Sequence, residues 1–146
     1  MKRLTDSVKF TRKLWGDLGE KLVKMLLIRT FTKGIGADGK RLKPYSELYK
    51  KFRRKKGRKT SPVTHTFSAR FQKNLKRGRT TKKGTEYGWR SEGAKVEYAE
   101  SNDRDILGAD GVDKKEAKLI ENTIGDFIDK KIKAFARQKT VVRVGR

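Results

Sequence analysis

The chain has 146 residues, of which 34% are hydrophobic and 39% charged, and its formal net charge is +23. This length suits one domain with a modest core, and the lack of cysteine excludes a disulfide framework, a thiolate metal site and a cysteine nucleophile. No apolar run approaches the roughly 20 residues that span a bilayer, and the first residues lack a signal core, so we expect no membrane contact.

The first predicted element is an amphipathic helix over residues 11–31. Its apolar residues recur at steps of three and four: Trp15, Leu18, Leu22, Met25 and Leu26. Gly16 and Gly19 each weaken such a helix by about 1 kcal/mol relative to Ala, which indicates close packing against another element. We expect Trp15 to belong to the core.

A glycine-rich turn follows and leads into a basic helix over residues 46–56, which Gly57 ends. The residues that give the turn its geometry are Gly34, Gly36, Asp38, Gly39 and Pro44. Gly34, Gly36 and Gly39 have the spacing of a dinucleotide-binding loop, but the stretch precedes a basic helix rather than opening a helix after a strand, so we interpret the turn as structural. Leu48 and Phe52 are four residues apart and predict a thin buried stripe on the basic helix.

The middle of the chain predicts another helix over residues 66–76, with Phe67, Phe71 and Leu75 on one face. Residues 77–84 have no apolar periodicity and are interpreted as a basic loop or an exposed hairpin arm. The alternation of apolar and polar residues then predicts two short antiparallel strands, 86–91 and 94–100.

Asp113 is predicted to cap a long C-terminal helix that ends near Ala136. Its apolar stripe runs from Ala117 to Phe135, and we expect this stripe to pair with the first helix in the main core. The predicted class is α+β: long N- and C-terminal helices, two short basic helices and a small antiparallel sheet in one domain, residues 1–138. Residues 139–146 form a basic tail, which we expect to add to a neighbouring subunit's sheet rather than to fray.

The positive charge is concentrated in the middle third of the chain. Residues 40–83 contain eighteen Lys and Arg and a single acid, Glu47. Such density favours a polyanion or an acidic protein surface as a partner over a merely solvated face. The residues that we expect to contact DNA or a partner protein are Lys50, Lys51, Arg53, Arg54, Lys55, Lys56, Arg58, Lys59, Arg70, Lys73, Arg77, Arg79, Lys82 and Lys83.

Catalytic motifs are missing from the sequence, and we expect a protein that is not an enzyme and needs no cofactor or metal. No HExxH, P-loop or GxSxG pattern occurs, and the single histidine, His65, has no placed carboxylate or second ligand. Four acids, Glu97, Glu100, Asp103 and Asp105, offer oxygen ligands for Mg²⁺ in a nuclease. A polar loop or a subunit contact is the favoured interpretation of these acids.

Residues 86–113 contain eight acids and three basic residues, so the chain has an acidic stretch as well as a basic one. Opposite charges on one chain are complementary in a head-to-tail contact between copies. Repeated contacts of this kind close into rings. We therefore expect the acidic residues to contact the basic face of a neighbouring subunit.

The order of these segments resembles the tailed-bacteriophage virion morphogenesis family, in its tail-completion or neck group. The resemblance spans residues 15–135. It rests on a glycine-turn motif before a Lys-rich segment and on two later motifs, Tyr98-Ala99 and Ile106-Leu107-Gly108. The residues of the glycine-turn motif are Gly34, Gly36, Asp38, Gly39, Lys40, Pro44 and Ser46.

The resemblance implies a structural subunit that joins a DNA-filled head to a tail, located in the virion neck and assembled in the host cytoplasm. Its implied partners are further copies in a ring of about six or twelve subunits, other neck, portal or tail proteins, and DNA in the channel. The main alternative is a free-standing basic nucleic-acid-binding protein of ribosomal or nucleoid type. The acidic segment and the lack of an RNP or GxxG signature argue against that alternative.

Overall fold

The computed structural model describes residues 9–64, 70–89, 91, 93–104, 106–107 and 112–139. These residues form a mixed α+β structure, as predicted. The elements in chain order are α1 (Arg12–Leu26), α2 (Glu47–Lys55), α3 (Arg70–Lys73), β1 (Leu75–Thr80), β2 (Thr85–Trp89), α4 (Gly93–Glu100) and α5 (Lys114–Lys139). A π-helical segment, Leu27–Thr32, extends α1 directly.

The first helix forms where the sequence predicts it. The Thr11 side chain caps it by accepting a hydrogen bond from the Leu14 N–H at 3.1 Å. Close packing at Gly19 is confirmed, since a Cβ there would lie 2.8 Å from Thr85 Oγ1 and 2.9 Å from Arg77 Cδ. The strands therefore lie directly against α1, and this contact requires a residue without a side chain.

The two strands form an antiparallel hairpin with Leu75 opposite Trp89 and Thr80 opposite Thr85. The predicted pairing of 86–91 with 94–100 is wrong. The strand β2 pairs with β1, which precedes it in the chain, and residues 93–100 form α4. Within α4 the buried residues are Val96 and Ala99, and a spacing of three suits one face of a helix.

The segment before the hairpin also differs from the prediction. Of the predicted helix 66–76, the described part is helical only over Arg70–Lys73, and Leu75 already belongs to β1; Phe67 and His65 lie outside the described residues. Of the two interpretations of residues 77–84, the hairpin arm is the correct one. Residues 77–80 complete β1, and residues 81–84 form its turn.

The main hydrophobic core lies between α1, the hairpin and α4. Its buried residues are Val23, Leu26, Phe31, Phe71, Leu75, Val96, Ala99 and Ile106. Among the described residues, this cluster includes no side chain of α5, so the predicted main core between the two long helices is wrong. The hairpin occupies the face of α1 that α5 was expected to cover.

The long helix α5 contacts α1 outside the main core. Its predicted apolar residues Ile120, Ile124 and Phe127 are half-buried, and Phe127 stacks on Phe10 with ring centroids 5.7 Å apart. None of the helices in the described ranges has the length and apolar character needed to cross a bilayer. The C-terminal residues beyond Lys139, for which we predicted strand addition, lie outside those ranges.

Candidate functional site

The glycine-rich turn lies before the basic helix and packs closely against Val63. Gly34 has a φ of +64°, and a Cβ at this position would lie 2.5 Å from the carbonyl oxygen of Val63, so no other residue fits without a shift. The two sides of the turn are joined by hydrogen bonds from Leu42 N–H to the Gly34 carbonyl and from Gly36 N–H to the Lys40 carbonyl, both 2.8 Å.

The segment between the turn and α2 is held by residues far along the chain. Arg104 donates to the carbonyls of Lys43 and Pro44 at 3.0 and 3.1 Å, and the Lys43 ammonium lies 2.8 Å from the Asp103 carboxylate. This hydrogen bond and the charge of Lys43 lower the pKa of Asp103. The start of α2 is thus fixed against the loop that follows α4.

Helix α2 begins at a capping serine: the Ser46 hydroxyl accepts from the Tyr49 N–H at 3.4 Å. Glu47 in the first turn binds the Lys50 ammonium, and this hydrogen bond lowers the pKa of the Glu47 carboxyl. A carboxylate in the first helical turn also favours the helix dipole. Lys50 is therefore half-buried and paired with Glu47 on the same helix.

Arg53 is the buried residue of α2 and is only 3% exposed. Its Nε donates to the Lys59 carbonyl at 2.8 Å, and its guanidinium carbon lies 4.8 Å from the centroid of the Tyr45 ring, within cation–π range. Arg53 was predicted to contact DNA or a partner, and its burial removes it from that surface. Its stacking on Tyr45 makes it a packing residue of the helix.

The burial of Arg53 determines which face of α2 points outward. Leu48 is 81% and Phe52 46% exposed, so the predicted burial of these two side chains is wrong. The guanidinium group takes the inner position because the Tyr45 ring and the Lys59 carbonyl offer it both a cation–π contact and a hydrogen bond.

Most of the other predicted contact residues lie at the surface. We call the following set the exposed basic residues: Lys51, Arg54, Lys55, Lys56, Arg58, Lys59, Arg70, Lys73, Arg79, Lys82 and Lys83. They belong to α2 and the loop after it, to α3, and to the hairpin.

The hairpin end of this set is anchored to the first helix. Trp15 Nε1 donates to the Lys82 carbonyl at 3.0 Å, and the Thr81 N–H donates to the Gly84 carbonyl at 2.8 Å to close the turn. Arg77, another predicted contact residue, instead binds Glu20 at 2.7 Å and Thr80 at 2.8 Å. Lys82 and Lys83 are therefore presented by a turn whose backbone is fixed.

The predicted acidic contact residues lie on α4 and just after it. Glu97 and Glu100 are exposed on the helix, whereas Asp103 is paired with Lys43 in the same chain; Asp105 lies outside the described residues. No group of three or more His, Cys, Asp or Glu side chains in the described part of the chain is arranged to hold a metal ion.

A buried charged cluster joins α5 to the end of α1, and the sequence analysis missed most of it. Arg29 Nε lies 3.2 Å from both Asp113 Oδ2 and Glu116 Oε1, and the same guanidinium group donates to the Ile106 carbonyl at 2.9 Å. Asp113 and Glu116 form a reciprocal capping box. The cap by Asp113 was predicted and is confirmed, whereas no local signal identifies Arg29 as its partner.

A cavity of about 350 Å³ adjoins this cluster. Its lining combines apolar and basic side chains with the cluster itself, and includes Met25, Ile28, Lys33, Ile35, Lys114 and Lys115. The nearby Tyr87 hydroxyl has its pKa raised to about 12, first by burial and then by the Glu116 charge. The carboxylates of the cluster are held by Arg29 and by backbone donors, so they serve the fold.

No protein-family model, curated protein or solved structure matches the chain.

Proposed function

We propose that the chain is a structural subunit of a tailed-phage neck, a tail-completion or head-tail joining protein. In this proposal its copies assemble as a ring in the virion, contact neighbouring portal, neck or tail proteins, and bring basic side chains close to DNA in the channel. The class of protein comes from the sequence resemblance of residues 15–135. The charge and geometry of the described residues support this class of protein without reference to the resemblance.

The observation that carries the proposal is the way α2 is fixed. A helix of this composition has little apolar surface, yet Arg53, Tyr45 and Arg104 fix both its orientation and its start. The exposed basic residues of α2 are thus presented at defined positions, whereas non-specific attraction to phosphate needs only charge. Defined positions suit a protein–protein contact with fixed geometry.

The acidic helix α4 supplies the complementary surface on the same chain. Glu97 and Glu100 are exposed there, and the loop after α4 contacts the segment before α2 through Arg104 and Asp103. A chain that carries two oppositely charged surfaces can contact two copies of itself, one at each surface.

A free-standing nucleic-acid-binding protein is the second candidate, and the hairpin favours it. Arg79, Lys82 and Lys83 are exposed on a short arm whose turn is anchored by Trp15. Basic side chains on a fixed arm can follow a phosphate backbone. The two candidates differ in whether DNA affinity or self-association dominates.

A salt series on the full chain separates the candidates. Sedimentation velocity would measure self-association, and fluorescence anisotropy with a labelled duplex would measure DNA affinity, both at 50 and 200 mM salt. Affinity based on six or more phosphate contacts falls by about 10³-fold over this range. We expect association that survives 200 mM salt and weak DNA binding that does not. A monomer that still binds DNA tightly at 200 mM salt would favour the second candidate.

Placement in the neck needs a test in particles. Deletion of the coding sequence from the encoding phage should leave DNA-filled heads that do not join to tails, visible by negative-stain electron microscopy. Complementation with the wild-type chain should restore joined particles. Normal particles in the deletion strain would contradict the proposed place in the virion.

A further inference from the structure

The cavity beside the buried charged cluster joins an apolar wall to a basic opening. Its volume of about 350 Å³ lies within the range of roughly 300–1,000 Å³ that is typical of sites for small ligands. The apolar part of the lining consists of Met25, Ile28, Ile35 and Ala37, and the basic part consists of Lys33, Lys114 and Lys115. All three lysines are exposed, so their charged ends lie on the solvent side of the cavity.

The carboxylates that line the same cavity are already paired within the chain. Asp113 and Glu116 each lie 3.2 Å from Arg29 Nε. Asp38 accepts a hydrogen bond from the Lys40 N–H at 2.9 Å, and its carboxylate lies 3.8 Å from the Lys40 ammonium. In contrast, the three lysines of the lining form no ion pair within the described part of the chain. The charges that remain for a ligand are therefore positive.

Two of these lysines occupy an electrostatically unfavourable position. Lys114 and Lys115 are the first two residues of α5, and the partial positive charge at a helix N-terminus disfavours cations in the first turn. The Asp113 cap offsets only part of this cost. An anion beside both ammonium groups would interact favourably with two full charges and with the helix dipole.

The apolar wall of the cavity depends on the π-helical segment after α1. Ile28 belongs to this segment, and the Lys33 N–H closes the segment by donating to the Ile28 carbonyl at 3.0 Å. Helical turns of this type are rare and often lie at functional sites. Ile28 is 41% exposed and is not one of the buried residues of the main core, so its apolar surface is available to a ligand.

We propose that this cavity binds a small amphipathic anion, with an apolar chain against Met25, Ile28 and Ile35 and a carboxylate or phosphate head group at Lys114 and Lys115. A cationic ligand would meet three lysines and only paired carboxylates, and an inorganic anion would leave the apolar wall uncovered. The inference goes beyond the proposed function and does not depend on assembly, because none of the lining residues belongs to α2 or α4.

Calorimetric titration of the full chain with four probes tests the ligand class. Sodium octanoate and octyl phosphate carry an apolar chain and an anionic head, octylamine carries the same chain with a cation, and acetate is an anion with almost no chain. We expect saturable binding of at least one of the first two at a single site per chain. Octylamine and acetate should bind about tenfold more weakly or worse, because each lacks one of the two kinds of contact.

Variants at the lining locate the site. The double variant Lys114→Gln with Lys115→Gln should weaken octanoate or octyl phosphate binding by about tenfold or more, and so should Ile28→Gln. The matched controls are Lys130→Gln with Lys133→Gln, at exposed positions about four turns further along α5, and Leu48→Gln, at an exposed apolar position outside the cavity. Removal of cations from the first turn favours α5, so a loss of affinity in the first variant would not result from a weakened helix. Circular dichroism would verify that each variant is folded.

Three results would overturn the inference. One is the absence of binding by both anionic probes, and another is octylamine binding as tight as octanoate binding. The third is binding that the control pair at 130 and 133 weakens as much as the pair at 114 and 115, because this result would indicate general attraction to a basic surface. None of them affects the proposed assembly, which the salt series measures separately.

Discussion

Arg29 Nε and Glu116 Oε1 lie 3.2 Å apart in the interior of the molecule, across 87 residues of chain. Glu116 is fully buried, and Arg29 and Asp113 are nearly so. Two carboxylates so close together are tolerated because the guanidinium group lies between them and because the capping box supplies backbone donors.

Replacement of Arg29 should therefore be among the most damaging single changes. Arg29→Met leaves two buried carboxylates without their cation, and we expect a loss of about 3–5 kcal/mol in the free energy of unfolding. Urea denaturation followed by circular dichroism measures this change. Arg12→Met, at an exposed position of the same helix, should stay within about 0.5 kcal/mol of the wild type. A loss below about 1 kcal/mol in Arg29→Met would show that the cluster contributes little to stability.

The two glycines of α1 should respond in opposite directions to alanine. Gly19→Ala places a Cβ within 3 Å of the Thr85 and Arg77 side chains and should destabilise the fold by about 1–3 kcal/mol. Gly16→Ala meets only the end of the Arg77 side chain at 3.4 Å and should gain up to about 1 kcal/mol from helix propensity. Chemical denaturation would compare the free energies of unfolding of the two variants. An equal gain in both would mean that the hairpin does not pack closely against α1 at Gly19.

Arg53 should behave as a packing residue despite its charge. Arg53→Lys keeps the charge but removes the planar group that stacks on Tyr45 and donates to the Lys59 carbonyl, so we expect a loss of about 1–3 kcal/mol. Arg54→Lys, at the next and exposed position, should be nearly neutral. Thermal unfolding of the two variants side by side is the measurement, and equal stability would contradict the assigned role.

Tyr87 should make the fold sensitive to alkaline pH. Its folded-state pKa of about 12 exceeds the ordinary value of 10.0, so the neutral hydroxyl contributes stability that is fully present below about pH 10 and is lost as the pH rises toward 12. The free energy of unfolding should fall more steeply over this range in the wild type than in Tyr87→Phe. The difference in phenolate absorbance between the wild type and Tyr87→Phe isolates the titration of Tyr87 from that of the other three tyrosines, and a midpoint near pH 10 in that difference would contradict the burial.

The sequence predicts those parts of the fold that depend on local chemistry. Thr11, Ser46 and Asp113 are helix caps within a few residues of the predicted starts, because a capping side chain acts on the backbone beside it. The glycine turn and the close approach of the hairpin to α1 at Gly19 can also be predicted from the sequence, since both depend on the absence of a side chain at one position.

The errors arise where a partner distant in sequence decides the outcome. Residues 94–100 alternate like a strand, but the segment instead buries Val96 and Ala99 against the core as a helix. Leu48 is more apolar than Arg53, yet Tyr45 and the Lys59 carbonyl hold the arginine inside. Hydrophobicity alone ranks these side chains in the opposite order, and no local pattern pairs Arg29 with Glu116.

The long separation between Arg29 and its carboxylates also affects the order in which the fold can form during translation. A ribosome synthesises α1, the glycine turn and the whole basic middle region before it reaches Asp113 and Glu116. Until those two residues emerge, burial of Arg29 leaves a cation without its counterions, which is strongly unfavourable. The residues of the main core are all synthesised before α5, but the region around Arg29 closes only when Asp113 and Glu116 appear, so a product truncated before residue 113 should be less stable than the full chain.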